Sequence, residues 1–132
     1  PILKEKENTI ISGVAAINSE EAFDPNNVKC ALINKYSKIQ YLSRKPLLNN
    51  LDENIKLSYF KQLGLYAMSI KNLNRFSIMS KGKLENAEKV ELLRWIENGC
   101  ELLACLIKKE TISVDTPNDL VKVINSINQF KK

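Results

Sequence analysis

No uninterrupted apolar run in this chain is longer than six residues, Leu102 to Ile107, so its core has to be assembled from short strands and one-sided helices. A bilayer-spanning helix needs about 20 apolar residues in a row, and nothing near that length is present. Asn8 to Ile17 (NTIISGVAAI) is β-branched and apolar after the charged lead-in Lys4 to Glu7, and reads as a buried strand. Asn18 to Asn27 reads as a polar turn region. Val28 to Ile33 and Ile39 to Leu42 are short apolar runs around a polar loop, the pattern of a β-hairpin. Ser43 to Leu57, with Pro46, Asn49, Asn50 and Asp52, reads as a functional loop or lid.

Further on, strands and helices alternate. Tyr59 to Ser69 reads as a strand in which Gly64 marks a bulge or a close backbone approach. Ile70 to Met79 reads as a short helix. Leu84 to Asn98 reads as one continuous helix with Leu84, Ala87, Glu91 and Trp95 on a single face and Gly99 as its left-handed stop. Glu101 to Ile107 reads as a strand. Thr116-Pro117-Asn118-Asp119 then supplies an N-cap, a proline at the first helical position and an acid in the first turn, opening an amphipathic helix through Leu120, Val123, Ile124 and Ile127. The expected class is α/β or α+β, and 132 residues with 44% hydrophobic and 27% charged content fit one domain over residues 1–132.

Composition narrows the chemistry. There is no histidine, which removes the commonest general base and zinc ligand together with every Ser-His or Cys-His arrangement. Cys30, Cys100 and Cys105 are an odd number without CxxC spacing, so neither a disulfide framework nor a zinc site is indicated, and a reducing cytoplasmic setting is expected. The start at Pro1 carries no signal-peptide pattern and no initiator Met, which suggests a piece of something longer. The net charge of +5 favours anionic partners, yet arginine occurs only at Arg44, Arg75 and Arg94. A lysine-dominated, scattered charge does not point to nucleic acid, and a basic nucleic-acid or membrane-surface module is the weakest reading. Gly13, Gly64, Gly82 and Gly99 do not cluster into a phosphate cradle.

Several side chains stand out as site candidates. Asp115 lies between a strand end and the Thr116 cap, where an acid either complements the helix dipole or binds a ligand or metal at a sheet edge. Glu91 falls in the apolar stripe of the Leu84–Asn98 segment and is expected partly buried, paired either with Arg94 or with a substrate. Arg44 directly follows an apolar strand, from which a guanidinium can fork onto a carboxylate or phosphate or lie on the surface. Tyr59 and Tyr66 sit in an aromatic strand and read as core.

The ordered motifs resemble a known family. Asn18-Ser19-Glu20-Glu21-Ala22-Phe23-Asp24-Pro25-Asn26-Asn27-Val28-Lys29 and Tyr41-Leu42-Ser43-Arg44-Lys45-Pro46 are similar to the middle of 3-deoxy-manno-octulosonate (Kdo) cytidylyltransferases. Lys61-Gln62-Leu63-Gly64-Leu65-Tyr66-Ala67, Leu84-Glu85 through Glu91-Leu92-Leu93-Arg94, and Val114-Asp115-Thr116-Pro117-Asn118-Asp119-Leu120 continue the likeness in order. CMP-sialic acid synthetases are more distant relatives. The resemblance implies the C-terminal part of a nucleotide-diphospho-sugar-transferase-like, Rossmann-like mixed sheet with flanking helices and a β-hairpin insertion, lacking the CTP-gripping N-terminal part. It implies attack of a Kdo-like sugar acid on CTP for lipopolysaccharide synthesis, with Mg2+ held by Asp115. Arg44 would meet the sugar acid's carboxylate, and Ser43, Gln62, Tyr66 and Glu91 would line the sugar pocket. A homodimer is implied, with the hairpin and the Ser-Arg region at the subunit contact. By itself such a chain is expected to be inactive, and a degenerate domain serving only in association is the competing reading. Four positions depart from the family pattern: Gln62 for histidine, Leu92 for glutamine, Lys83 for proline and Leu48 for a second loop proline.

Overall fold

The computed structural model describes residues 8–35, 37–48, 51, 54, 57–108, 114 and 117–130. In chain order the elements are β1 (Thr9–Ile17), α1 (Ser19–Phe23), β2 (Lys29–Ile33), β3 (Lys38–Ser43), β4 (Tyr59–Ala67), α2 (Ile70–Ile78), α3 (Lys83–Glu88), α4 (Leu93–Glu97), β5 (Glu101–Leu106) and α5 (Pro117–Phe130). The mixed α/β class is as expected. The strands close into a ring in the order β1-β4-β2-β3-β5, with β5 returning to β1. Only β1–β5 is parallel, from Thr9↔Glu101 to Val14↔Leu106; the other pairings are antiparallel. A single residue pair joins β4 to β2 (Lys29↔Lys61) and another joins β3 to β5 (Lys38↔Leu103). The described part is therefore a mixed, mostly antiparallel five-stranded sheet that closes on itself, flanked by helices and carrying the expected hairpin.

β1 is buried along nearly its whole length, as befits a strand with neighbours on both edges and cover on both faces. Its pairing with β4 slips between Ser12 and Val14, opposite Gln62 to Tyr66. The bulge expected near Gly64 thus falls in that stretch, but a close approach does not, since a side chain at Gly64 would meet nothing within 4 Å. β2 and β3 form the expected hairpin, turned by Asn34 and Lys35 at positive φ.

Two helical expectations change. The polar stretch after β1 contains α1, a single turn closed by a capping box between Asn18 and Glu21. The continuous helix over Leu84–Asn98 is instead two short helices broken at Lys89, which is left-handed (φ 56) and donates its N–H to Glu85 O at 2.8 Å. Packing explains the break. Val90, Leu92, Leu93 and Trp95 all enter the core with Ile10, Val14, Leu42 and Leu102, whereas a straight helix at about 100° per residue would spread those four around its circumference. Each large side chain so buried contributes about 1.5–3 kcal/mol, more than the roughly 1–2 kcal/mol cost of one left-handed residue. Gly99 is left-handed (φ 69), as expected.

Glu97 holds α3 from outside, accepting the N–H groups of Leu84 (3.0 Å) and Glu85 (3.4 Å). A Cβ at Gly82 would collide with that carboxylate. Lys83 is the first helical residue of α3, a position that suits proline equally well, so this departure from the family pattern is structurally neutral. α5 forms as expected, with Leu120, Val121, Ile124 and Ile127 about half exposed; Asp115 and its Thr116 cap lie outside the described residues.

Candidate functional site

Three strands bring the candidate residues together. Lys29 of β2 pairs with Ser43 of β3 on one side and Lys61 of β4 on the other. With strands about 4.8 Å apart, the Ser43-Arg44 corner and the neighbourhood of Gln62 are separated by about 10 Å. Lys29 itself is buried. Its ammonium donates to the carbonyls of Asp24 (2.8 Å), Asn27 (2.6 Å) and Arg44, and burial pushes its pKa down while Asp24 opposes the shift.

Ser43 is 3% exposed. Its hydroxyl donates to Glu88 Oε1 at 2.9 Å and accepts from the N–H of Lys45 at 3.0 Å. The Arg44 N–H donates to Glu88 Oε2 at 2.9 Å, Arg44 Nε donates to the Glu88 carbonyl at 3.0 Å, and Nη1 donates to the Pro25 carbonyl at 3.0 Å. Arg44 is thus a held, partly buried guanidinium and not a loose surface group. Glu88 was not singled out from the sequence. Its partners lie 44 and 45 residues away, so no local pattern announces it.

The second cluster sits on β4. Gln62 Nε2 donates to the Tyr66 hydroxyl at 2.5 Å, so both of these predicted pocket residues are brought together. Gln62 Oε1 is buried and has no hydrogen-bond partner among the described residues. Burial, followed by the negative charge of Glu91, pushes the Tyr66 phenol above its ordinary value, while the Gln62 bond pulls it partly back. Burial pushes the nearby Cys30 thiol up to about 12, leaving it an inert core group.

Glu91 differs from expectation: it is exposed, because the break at Lys89 turns it out of the stripe that Leu84 and Trp95 would share on one helix. Nor does it pair with Arg94. Arg94 forms a two-pronged ion pair with Glu85 (Nε–Oε2 and Nη2–Oε1, both 2.7 Å) and lies over the Phe76 ring at 4.7 Å. Leu92, which stands where the family commonly has glutamine, is fully buried in the core. Glu91 still borders a shallow polar depression of about 250 Å³ with Lys81, Glu85, Asn86 and Lys89.

Chemically, the described residues offer a fixed guanidinium at Arg44, a phenol and an amide side by side on β4, and an exposed carboxylate at Glu91. Among the described residues no three Cys, Asp or Glu side chains gather as a cation site, and no helix is long and apolar enough to cross a membrane.

The chain belongs to the cytidylyltransferase family, whose profile matches residues 2–112. Within it, the relatives are 3-deoxy-manno-octulosonate cytidylyltransferases. That of Rickettsia prowazekii is 32% identical over 130 residues, covering 98% of this chain and 50% of the relative. Those of Koribacter versatilis and Wolinella succinogenes are 36% identical (79% of this chain, 39% of the relative) and 35% identical (86% and 47%). The solved structure of a CMP:2-keto-3-deoxy-manno-octonic acid synthetase complexed with CTP superposes with a TM-score of 0.81 at 28% identity, covering 91% of this chain and 49% of that one. The chain spans about half the length of the relatives it matches.

Proposed function

We propose that residues 1–132 form one domain, the C-terminal, sugar-acid-binding part of a Kdo cytidylyltransferase, with the CTP-gripping part supplied by the portion of the fold that the longer relatives carry. In the complete enzyme the anomeric hydroxyl of a Kdo-like acid attacks the α-phosphate of CTP. The new C–O–P linkage forms, the α–β phosphoanhydride breaks, pyrophosphate leaves and the hydroxyl proton is released. Such transfer depends on positioning and charge neutralisation, so a chain without histidine can serve it.

Arg44 would take the sugar acid's carboxylate, a pairing its planar fork suits. Ser43 would shape that corner through its bonds to Glu88 and Lys45, while Gln62, Tyr66 and Glu91 would meet the sugar hydroxyls. Magnesium would neutralise the triphosphate when bound. The described side chains do not make a magnesium site by themselves, so Asp115 would act with acids from the rest of the fold. A cytoplasmic homodimer contributing to lipopolysaccharide synthesis completes the proposal.

The observation that carries the reading is the Gln62 amide. Its buried, unpartnered Oε1 costs about 1–3 kcal/mol, a cost that a sugar hydroxyl would relieve. Where the family commonly has histidine, this acceptor keeps a hydrogen bond without a proton-switchable charge. Titration of the chain with Kdo, followed by NMR, is expected to shift the Arg44 and Gln62 side-chain signals, and Arg44→Ala or Gln62→Leu is expected to weaken binding about tenfold. Absence of shifts at both positions refutes the site. Incubation of this chain alone with CTP, magnesium and Kdo is expected to release no pyrophosphate; turnover would refute its role as a part.

One observation favours association as a second reading. α2 turns Asn72, Arg75 and Phe76 towards the body of the protein and leaves Ile70, Leu73 and Ile78 between 51% and 84% exposed, three large apolar side chains, interspersed with Asn74 and Ser77, that a second copy of the chain would cover.

A further inference from the structure

We infer that Glu88, the last residue of α3, is a positioning residue that sets Ser43 and Arg44 for a carboxylate-bearing ligand; the inference rests on the reading of Arg44 as a ligand contact. One carboxylate here serves two consecutive residues of another element. Oε1 takes the Ser43 hydroxyl and Oε2 the Arg44 N–H, each at 2.9 Å, which fixes the peptide between them. The Glu88 carbonyl then takes Arg44 Nε at 3.0 Å.

That carbonyl is free to do so because Lys89 turns left-handed immediately after it. The carbonyls of a helix's last turn lack intrahelical partners, and a cation there is favoured by the helix dipole. Lys29 completes the arrangement by binding the Arg44 carbonyl, and Pro25 O receives Nη1. The Arg44 N–H, C=O, Nε and Nη1 are all engaged, while Nη2 donates no hydrogen bond among the described residues.

Two consequences follow for a ligand acid. An arginine with free torsions has to be ordered when it binds, whereas this one is ordered beforehand, so the entropic cost falls on folding and not on binding. A carboxylate so close to an anion site would ordinarily repel the ligand. Here each oxygen accepts a hydrogen bond, one from the Ser43 hydroxyl and one from the Arg44 N–H, and these donors offset part of its charge. The helix break at Lys89 thereby links the packing of α3 to the aim of Arg44.

The test compares the unmodified chain with Glu88→Gln, which keeps the size but turns an amide NH2 towards a donor, and Glu88→Asp, which keeps the charge but is too short to span both donors. Kdo is the probe, followed through the Arg44 Nε–H signal in an isotope-labelled chain, with the Trp95 indole N–H, bonded to the Glu101 carbonyl at 2.9 Å, as a fold reference. The expected result is an affinity about tenfold lower in Glu88→Gln and intermediate in Glu88→Asp. The ligand-induced shift of Arg44 Nε–H should be lost and the Trp95 signal unchanged. If Glu88→Gln fails to fold, Glu88→Asp carries the comparison. A folded variant that binds Kdo as tightly as the unmodified chain, with its Arg44 shift intact, overturns the positioning role while leaving the site reading standing. An unmodified chain that does not bind Kdo overturns both.

Discussion

Replacing Arg94 by methionine removes one half of the pair that joins α3 to α4, and the structure sets the size of the loss. Glu85 is 6% exposed, and its two oxygens receive both prongs of the Arg94 guanidinium at 2.7 Å. Arg94 Nη1 also donates to the carbonyls of Met79 (3.2 Å) and Phe76 (3.4 Å). Arg94→Met leaves a buried carboxylate without its cation, which costs about 3–5 kcal/mol. The lower end applies because the Arg94 side chain retains 11% exposure, so water can reach the vacated position. For a chain of this size, about 3 kcal/mol lowers the melting temperature by about 10 °C. Pairing the change with Glu85→Leu removes both charges and should recover most of that loss, because the stranded carboxylate is the main penalty. The pH dependence has a defined sign. Hydrogen bonds from Arg94 hold the Glu85 carboxyl below its ordinary 4.5, so the pair's stabilisation is complete above about pH 4.5 and is lost as pH falls through the lowered value. Thermal melts by circular dichroism at pH 7 and at a series of lower pH values down to about 2 read all of this. A single variant melting within about 3 °C of the unmodified chain, or a double variant no better than the single one, refutes the reasoning.

The Tyr66 phenol should titrate above 10.0, and Glu91→Gln should bring it down by removing the negative charge, as read from tyrosine ring carbon shifts between pH 9 and 12; an unchanged titration would separate Glu91 from the pocket. Because the folded value is raised, Tyr66 contributes stability that is complete below about pH 10 and lost as pH rises through that value. Sedimentation equilibrium should show a self-associating chain whose dimer weakens when Ile78→Glu places a charge on the exposed side of α2; a monomer at every concentration excludes association through that face.

The strands were legible because each is a short, largely apolar run bounded by polar residues, β-branched in β1 and aromatic or leucine-rich in β4 and β5, and the hairpin and the Gly99 stop announce themselves in the same local way. The break at Lys89 is not legible. Every residue from Leu84 to Glu91 except Asn86 and Val90 is a good helix former, and only the need to bury Val90, Leu92, Leu93 and Trp95 together overrides that propensity. The same break bears on Arg94: three residues of spacing allow a pair with Glu91, yet the turned chain presents Glu85 to the guanidinium. At the site, Gln62 and Tyr66 are four residues apart on β4, about 13 Å along a regular strand, so the family motif suggests both as pocket residues but their hydrogen bond belongs to the folded arrangement. Glu88 reaches Ser43 only through the folded arrangement, a contact that residue spacing cannot express.

The parallel pairing of β1 with β5 sets a schedule for the nascent chain. Thr9 finds Glu101 only after some ninety intervening residues have been made, so during synthesis β1 has β4 along one edge and an unfilled row of backbone donors and acceptors along the other. Closure of such a sequence-distant pair is slow, and an open strand edge invites pairing with any neighbouring chain. A ribosome stalled before Leu106, or a protease that clips after α4, would release a ring with its seam undone, so the last strand of the sheet protects the first.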